Sequence, residues 1–428
     1  MNIIRNKLNL SICLPGSKSI TLRNLVLATL AEGITDISAP ADCDDTREMV
    51  DCLRALGVSI KTSDGYRQIS VAGTGGRFSE GPVTLNLGLS GTSARFLIAL
   101  STLRNQVTQL VGRGSLNQRP NHHLLDAVKQ LGGETVSVGN GSLPISIKGP
   151  STFAKIIKMN GDVSSQYFSA LLQIAPLLPN GLEIIVRGVL VSRPYVDITI
   201  NEMRKFGVEI ENEKYQRFII GPQKYRAGPR TVEGDASAAS YFAALALIHG
   251  GKVTLENLSR DTTCQGDIRF LSICEKLGAT IKLEEGRTIV EGPKDGHILP
   301  VNGELNCCDI PDSALTLIAI APLIPGTTRI TGLGTLKHKE CDRIESPAAE
   351  LRKIGVDVVT GPDFIEVSNV KADRTHKPQN IDIKTYDDHR MAMSFAVLAT
   401  RIGDLSILEP DVVRKTYPSF WKDLAKIK

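Results

Sequence analysis

Two hydrophobic patterns alternate along the chain. Six stretches open on polar or glycine-rich residues and run into an apolar helix: PGSKSITLRNLVLATL from Pro15, GLSGTSARFLIAL from Gly88, GDVSSQYFSALLQIAPLL from Gly161, GDASAASYFAALALI from Gly234, IPDSALTLIAIAPLI from Ile310 and YDDHRMAMSFAVLA from Tyr386. A short strand-like run follows each, such as LEIIVRG from Leu182 or KVTLENL from Lys252. A polar loop then leads to a second helix, which ends in a recurrent phrase and passes straight into alternating apolar residues: LRALGVSI at Leu53, KQLGGETV at Lys129, MRKFGVEI at Met203, CEKLGATI at Cys274 and LRKIGVDV at Leu351. Ser, Asp or Gly near the helix starts and Gly at the ends are the expected caps.

The phrase-ending glycines, Gly57, Gly132, Gly207, Gly278 and Gly355, lie 75, 75, 71 and 77 residues apart, and a further step of 73 reaches Lys428. A fixed period of this kind marks an internal repeat. The chain reads as six copies of one α/β unit, cut open inside the sixth. The N-terminal run IIRNKLNLSI is expected to supply the strand that the sixth lacks. At 428 residues the chain exceeds one ordinary core, so two domains of three units are expected. Residues 16–232 form the first. Residues 1–15 with 233–428 form the second, which is discontinuous, and the crossings fall near Pro15 and Glu233.

Composition narrows the function classes. Net charge is +4, with acids and bases interspersed and no basic run, which argues against a nucleic-acid surface. The longest apolar stretch, ALTLIAIAPLI at Ala314, is too short to cross a bilayer, and the N-terminus lacks the apolar core of a secretory signal. Eight cysteines without a C-x-x-C pair imply reduced, packed thiols in a cytoplasmic protein. Seven histidines make no H-x-x-x-H pattern, His122 and His123 are expected to point apart, and no metal site is expected.

The polar openings carry the candidate chemistry. In LPGSKSITLRN, Lys18 and Arg23 add two cations to a helix start that already favours anions. LSGTSAR offers Gly91 and Thr92, VSSQ offers Ser164, Ser165 and Gln166, NQRP offers Arg119, and LVSRPY offers Ser192, Arg193 and Tyr195. In the second half come Asp312, then Lys339, Glu340 and Arg343 in HKECDR, then Asp388, His389 and Arg390 in DDHR, and Lys415 in VRKTYP. In equivalent repeats these loops fall at equivalent ends. Seven cations (Lys18, Arg23, Arg119, Lys339, Arg343, Arg390, Lys415) against Asp312 and Glu340 leave five positive charges. Two like charges about 4 Å apart repel by roughly 4 kcal/mol at an effective dielectric of 20, so such a cluster calls for small, multiply charged anions, phosphate included. Arginines suit bidentate grip of a carboxylate, whereas lysines serve as point charges or proton carriers.

These motifs, with VDIT, VEGDASAASYF and YDDHRMAM, stand in the order found in the 5-enolpyruvylshikimate-3-phosphate synthases. The chain resembles that family of enolpyruvyl transferases from residue 14 to residue 420. The resemblance implies a two-domain inside-out α/β barrel of six βαβαββ units, three per domain, with a two-strand hinge near 14–16 and 231–235. It implies a monomer without metal or organic cofactor that joins 3-phosphoshikimate to phosphoenolpyruvate, in the shikimate route to chorismate. By the matching motifs, Lys18, Ser19, Arg23, Ser164, Ser165, Gln166, Ser192, Asp312 and Lys339 hold 3-phosphoshikimate. Lys18, Gly91, Arg119, Gln166, Arg343, Arg390 and Lys415 meet phosphoenolpyruvate. Asp312 and Glu340 move protons with help from Lys18. Thr92, Tyr195, Thr335 and His389 are weaker candidates. Leu89, Phe96 and Thr335 depart from the commonest pattern. The sister enzymes acting on UDP-N-acetylglucosamine carry a cysteine in the loop that here reads GRGSLNQ.

Overall fold

The computed structural model describes residues 7–368 and 380–427. The chain divides into a continuous unit, Gly16–Val232, and a discontinuous one, Met1–Pro15 with Glu233–Lys428. Each contains three repeats. The inner helix of each repeat is the apolar one of the sequence: Lys18–Leu30, Gly91–Ser101 and Ser165–Ile174 in the continuous unit, Ala236–His249, Ala314–Ile320 and His389–Ile402 in the other. Every residue of Ala236–His249 and of Ala314–Ile320 is buried. A helix apolar on all sides has no face to give to water, and these pack on one another and on the inner faces of the sheets.

The sheets repeat one plan. In the second repeat, Val83–Asn86 enters parallel to Thr108–Val111, which pairs antiparallel with Ser142–Lys148, and Glu134–Val138 closes the far edge. The entry pair spans the inner helix, as a parallel pair needs a crossover. Strands alternate as one-sided sheets do: in Leu8–Ile12, Leu8, Leu10 and Ile12 are buried while Asn9 and Ser11 face water.

Two entry strands pair in a sheet other than that of the repeat whose inner helix they precede. Leu8–Ile12 precedes the first inner helix in the chain, yet it pairs parallel with Gly251–Leu255 in the fourth repeat's sheet. Arg230–Thr231 precedes Ala236–His249, yet it pairs parallel with Glu32–Ser38 in the first repeat's sheet. This corrects the reading of the N-terminal run as the sixth repeat's missing strand. The reason is local: the strand preceding the fourth inner helix is spent on the first sheet, so the fourth sheet's entry edge stands bare and Leu8–Ile12 fills it. Among the described residues the sixth sheet pairs Ile381–Ile383 with Leu405–Ile407, and its repeat runs on to helix Phe420–Leu424.

The recurrent phrase is a helix stop built the same way five times. Gly57, Gly132, Gly207, Gly278 and Gly355 all have φ between 79° and 102°. In the fifth copy the Gly355 N–H donates to Arg352 O and the Val356 N–H to Leu351 O, and in the first the Gly57 and Val58 N–H groups reach Arg54 O and Leu53 O. The second bond of each pair closes a Schellman loop, which turns the chain directly from helix into strand. Lys428, where a sixth phrase would end, lies outside the described residues, as do the first residues of IIRNKLNLSI.

An added Cβ at Gly355 would meet nothing within 4 Å, so only the left-handed backbone opposes a side chain there. Gly355→Ala is expected to lower unfolding free energy by about 1–2 kcal/mol in urea titration, with fold and chemistry intact. Unchanged stability would show that the stop does not need the left-handed glycine.

Candidate active site

The polar openings become the N-termini of the inner helices. Ser17, Ser90 and Ser164 cap the three in the continuous unit, accepting from the N–H groups of Ile20, Ser93 and Gln166. Asp235 and Asp388 cap two in the discontinuous unit, accepting from Ala238 and Arg390. Capping leaves the remaining first-turn N–H groups and the positive end of the helix dipole facing the loops.

In the continuous unit, Lys18 is the first residue of its helix and pairs at 3.0 Å with Asp45, whose side chain is almost wholly buried. Arg23 lies inside. Its Nε donates to Thr199 Oγ1 at 2.7 Å, Nη1 to the Ser19 carbonyl at 2.8 Å, and Nη2 to the Tyr195 carbonyl at 2.9 Å and to Ser169 Oγ. The guanidinium stands 5.2 Å from the ring centroid of Phe96, which gives that departure from the family pattern a packing role. Arg23 thereby ties the first inner helix to Ser169 on the third and to helix Arg193–Lys205.

A second cluster gathers on the helix that starts at Gly91. Arg95 Nη1 donates to the Gly91 carbonyl at 3.0 Å and its Nη2 to the Pro120 carbonyl, which also accepts from the Tyr167 hydroxyl at 2.6 Å. A Cβ on Gly91 would lie 2.5 Å from Nη1 of Arg119 and 3.1 Å from Nη1 of Arg95. Gly91 is thus the space that lets two guanidinium groups sit against one helix start. Gln166 Nε2 donates to Thr92 Oγ1 at 3.2 Å, joining the third inner helix to the second. Ser165 is buried. Ser192 holds φ 50° and ψ 43° ahead of helix Arg193–Lys205, a left-handed conformation uncommon for serine and enriched at functional positions. His122 and His123, expected to point apart, place their ring centroids 4.0 Å apart.

The discontinuous unit is built around Arg343, whose side chain is 1% exposed. Its Nε donates to Asp388 Oδ2 at 2.8 Å, Nη1 to Asp312 Oδ1 at 3.1 Å, and Nη2 to Glu340 Oε2 at 2.9 Å and to Asp388 Oδ1 at 3.2 Å. Burial opposes the charge, but Asp388, Glu340 and Asp312 outweigh it and hold the guanidinium protonated. Arg390 Nη2 donates to the other oxygen of Asp312 at 2.9 Å and Nη1 to the Tyr241 hydroxyl. Burial, only partly offset by Arg390, pushes the Tyr241 phenol up to about 12, so it stays neutral. Lys415 Nζ bonds the other oxygen of Glu340. Asp312 and Glu340 are therefore each shared between two cations. Cys341 Sγ stands 3.5 Å from Asp388 Oδ2. His389 is buried, with Nδ1 3.6 Å from Asp388 Oδ1. Lys339 and Thr335 sit half-buried at the turn Gly334–His338.

The cation count of five in excess needs correction. It left out Asp45, which pairs with Lys18 in the continuous unit, and Asp388, which joins Asp312 and Glu340 around Arg343 in the discontinuous one. Around Arg343, Arg390 and Lys415 the three positive charges face three negative ones. Acids in a first helical turn are ordinary caps in a sequence, so neither Asp45 nor Asp388 carried a signal of pairing.

Residues 4–424 match the family described as EPSP synthase (3-phosphoshikimate 1-carboxyvinyltransferase). The chain belongs to the EPSP synthase family. Its relatives named 3-phosphoshikimate 1-carboxyvinyltransferase include that of Cronobacter sakazakii (strain ATCC BAA-894), 41% identical over 426 residues, covering 97% of this chain and 96% of the relative. That of Escherichia coli (strain K12 / DH10B) is 40% identical over 427 residues with the same coverage. Among solved structures, an EPSP synthase from Acinetobacter baumannii superposes with a TM-score of 0.78 at 23% identity, over 99% of this chain and 97% of that one. An enolpyruvyl transferase from Streptomyces tendae gives 0.76 at 15% identity, over 100% and 96%. Those two share the fold, the inside-out α/β arrangement of the enolpyruvyl transferases. No described helix is long and apolar enough to cross a membrane.

For this EPSP synthase family member the Arg343–Asp388 pair is the most deeply buried charge contact of the set. Asp388→Asn keeps a cap acceptor but leaves Arg343 short of a charge, and is expected to cost about 3–5 kcal/mol in urea unfolding. Asp312→Asn, at a partly exposed carboxylate, is expected to cost less. Equal small losses in both would show that Asp388 does not anchor the cluster.

Proposed function

We propose that this chain transfers the 1-carboxyvinyl group of phosphoenolpyruvate to the 5-hydroxyl of 3-phosphoshikimate, giving 5-enolpyruvylshikimate 3-phosphate and phosphate. The observation that carries the reading is Arg343, Arg390 and Lys415 interleaved with Asp312 and Glu340. Phosphoenolpyruvate brings a carboxylate and a phosphate, and the three cations match those anions. The same cations bond Asp312 and Glu340, so substrate binding is an exchange of anionic partners. That exchange releases both carboxylates for proton transfer where the reaction needs it.

The chemistry then balances. Asp312 takes the proton of the attacking hydroxyl as its oxygen bonds to the central carbon of phosphoenolpyruvate. Glu340, with Lys18 assisting, protonates the methylene carbon to a methyl group. The tetrahedral intermediate next returns a proton from that methyl group to the deprotonated Glu340 as the carbon–oxygen bond to phosphate breaks, and the proton held by Asp312 leaves with the phosphate. Placement and fixed charge account for the acceleration. Lys18, Ser19, Arg23, Ser164, Ser165, Gln166, Ser192 and Lys339 are assigned to 3-phosphoshikimate, with Asp312. Gly91, Arg119 and Gln166 join the three cations and Lys18 on phosphoenolpyruvate. The crossings at Pro15–Gly16 and Val232–Glu233 are assigned as a hinge, and the protein is assigned as a cytoplasmic monomer.

Phosphate release is the direct assay, run with 3-phosphoshikimate and with UDP-N-acetylglucosamine as acceptors. Release is expected with the first alone, and release with the second alone would overturn the assignment. Asp312→Asn and Glu340→Gln, which keep the hydrogen-bonding shape of the cluster, are expected to lower kcat on the order of 10²–10⁴-fold with binding retained. Unchanged kcat in both would remove their proton-transfer roles. Small-angle scattering is expected to show compaction on adding 3-phosphoshikimate, and identical curves would count against a hinge.

A further inference from the structure

The loop that delivers Asp388 and Arg390 has an unusual backbone. Tyr386 and Asp387 are consecutive non-glycine residues at φ 53° and 55°. Left-handed conformation is uncommon for such residues singly, and two in succession persist only where surrounding contacts impose them. The loop therefore needs a clamp, and two carboxylates outside the proposed chemistry supply it.

The first is Glu350, fully buried on helix Glu345–Lys353, which begins two residues after Arg343. The Tyr386 hydroxyl donates to its Oε1 at 2.6 Å, and the Lys384 backbone N–H donates to its Oε2 at 3.1 Å. Lys353 balances its charge at Oε2 and also donates to the Asp382 carbonyl at 3.2 Å. The second is Glu409, itself left-handed at φ 51°, which opens the turn Pro410–Lys415. Its Oε2 accepts from the buried Thr385 hydroxyl at 2.9 Å. The Thr385 carbonyl in turn accepts from the Asp388 N–H at 2.9 Å.

These bonds join three segments that are distant in sequence. One follows Arg343, one precedes Asp388 and Arg390, and one precedes Lys415. We infer that Glu350 and Glu409 are positioning residues that clamp the Lys384–Asp388 loop, through Tyr386 and Thr385, in the conformation that aims Arg343, Arg390 and Lys415 at one anionic ligand. Neither carboxylate reaches the three cations. They act through the loop, whose left-handed pair turns the chain so that Asp388 can cap the last inner helix and grip Arg343 at once. A displacement of about 1 Å at such a cluster is enough to cost up to a hundredfold.

The inference rests on the proposed phosphoenolpyruvate contacts, so the test pairs turnover with a ligand measurement that needs no turnover. Tyr386→Phe and Thr385→Val each remove one hydroxyl and little else. Both are expected to melt within about 5 °C of the parent, to raise KM for phosphoenolpyruvate roughly tenfold, and to leave KM for 3-phosphoshikimate within about twofold. Calorimetric titration with inorganic phosphate is expected to weaken in both. Glu350→Gln, which can still accept from Tyr386, is expected to fall between the parent and Glu350→Ala. Unchanged KM for phosphoenolpyruvate and unchanged phosphate binding in both hydroxyl variants would overturn the clamp. So would a loss confined to kcat in step with lost folded protein, since that marks a merely structural bond. A parent that binds phosphate but shows no turnover would defeat the functional reading alone.

Discussion

A helix without a polar face must be covered on every side, and that constraint organises this protein. Six such helices occur among the described residues, and each is housed among its neighbours and a four-stranded or shorter sheet. With their sides committed to apolar packing, only the ends of these helices can host polar chemistry. The N-terminal ends carry unsatisfied N–H groups and the positive end of the dipole. Lys18, Gly91 and the capping serines and aspartates stand at these helix starts, while Arg119, Ser192, Lys339, Arg343 and Lys415 lie in the loops and turns that precede the outer helices.

The same constraint explains why the cations are so deeply set. Arg23 and Arg343 are each 1% exposed, where an uncompensated guanidinium would be costly. The two are compensated differently. Arg23 is held by hydroxyl and carbonyl oxygens and an aromatic face, which suits a strut. Arg343 is ringed by three carboxylates. Two of those, Asp312 and Glu340, are also bound to further cations and are the more exposed. A charge network of this kind is stable as built and can trade one anion for another at little net cost in charge. That property is what a transferase for two anionic substrates requires.

Repetition also has a consequence for topology. Every sheet has a parallel entry pair, and in two of them the entry strand comes from a crossing. Leu8–Ile12 and Arg230–Thr231 thereby tie each crossing into a sheet at one end.

The period, the six apolar helices, the five glycine stops and the polar loops were legible because each is a local pattern. Hydrophobic spacing and left-handed glycine are set within one or two turns of chain, and repeated copies reinforce the signal. The motif order likewise carried the family. The placement of these two entry strands was not legible, since an entry strand of five residues suits several equal edges and only long-range pairing selects one. Nor was the partnering of charges: Asp45 and Asp388 look like ordinary caps, and the burial that makes their bonds to Lys18 and Arg343 strong exists only once the helices have packed. Sequence by itself determined which residues stand at the helix starts. Tertiary structure alone decided which charges neutralise one another there, because Coulombic pairing depends on distance and dielectric, and folding sets both.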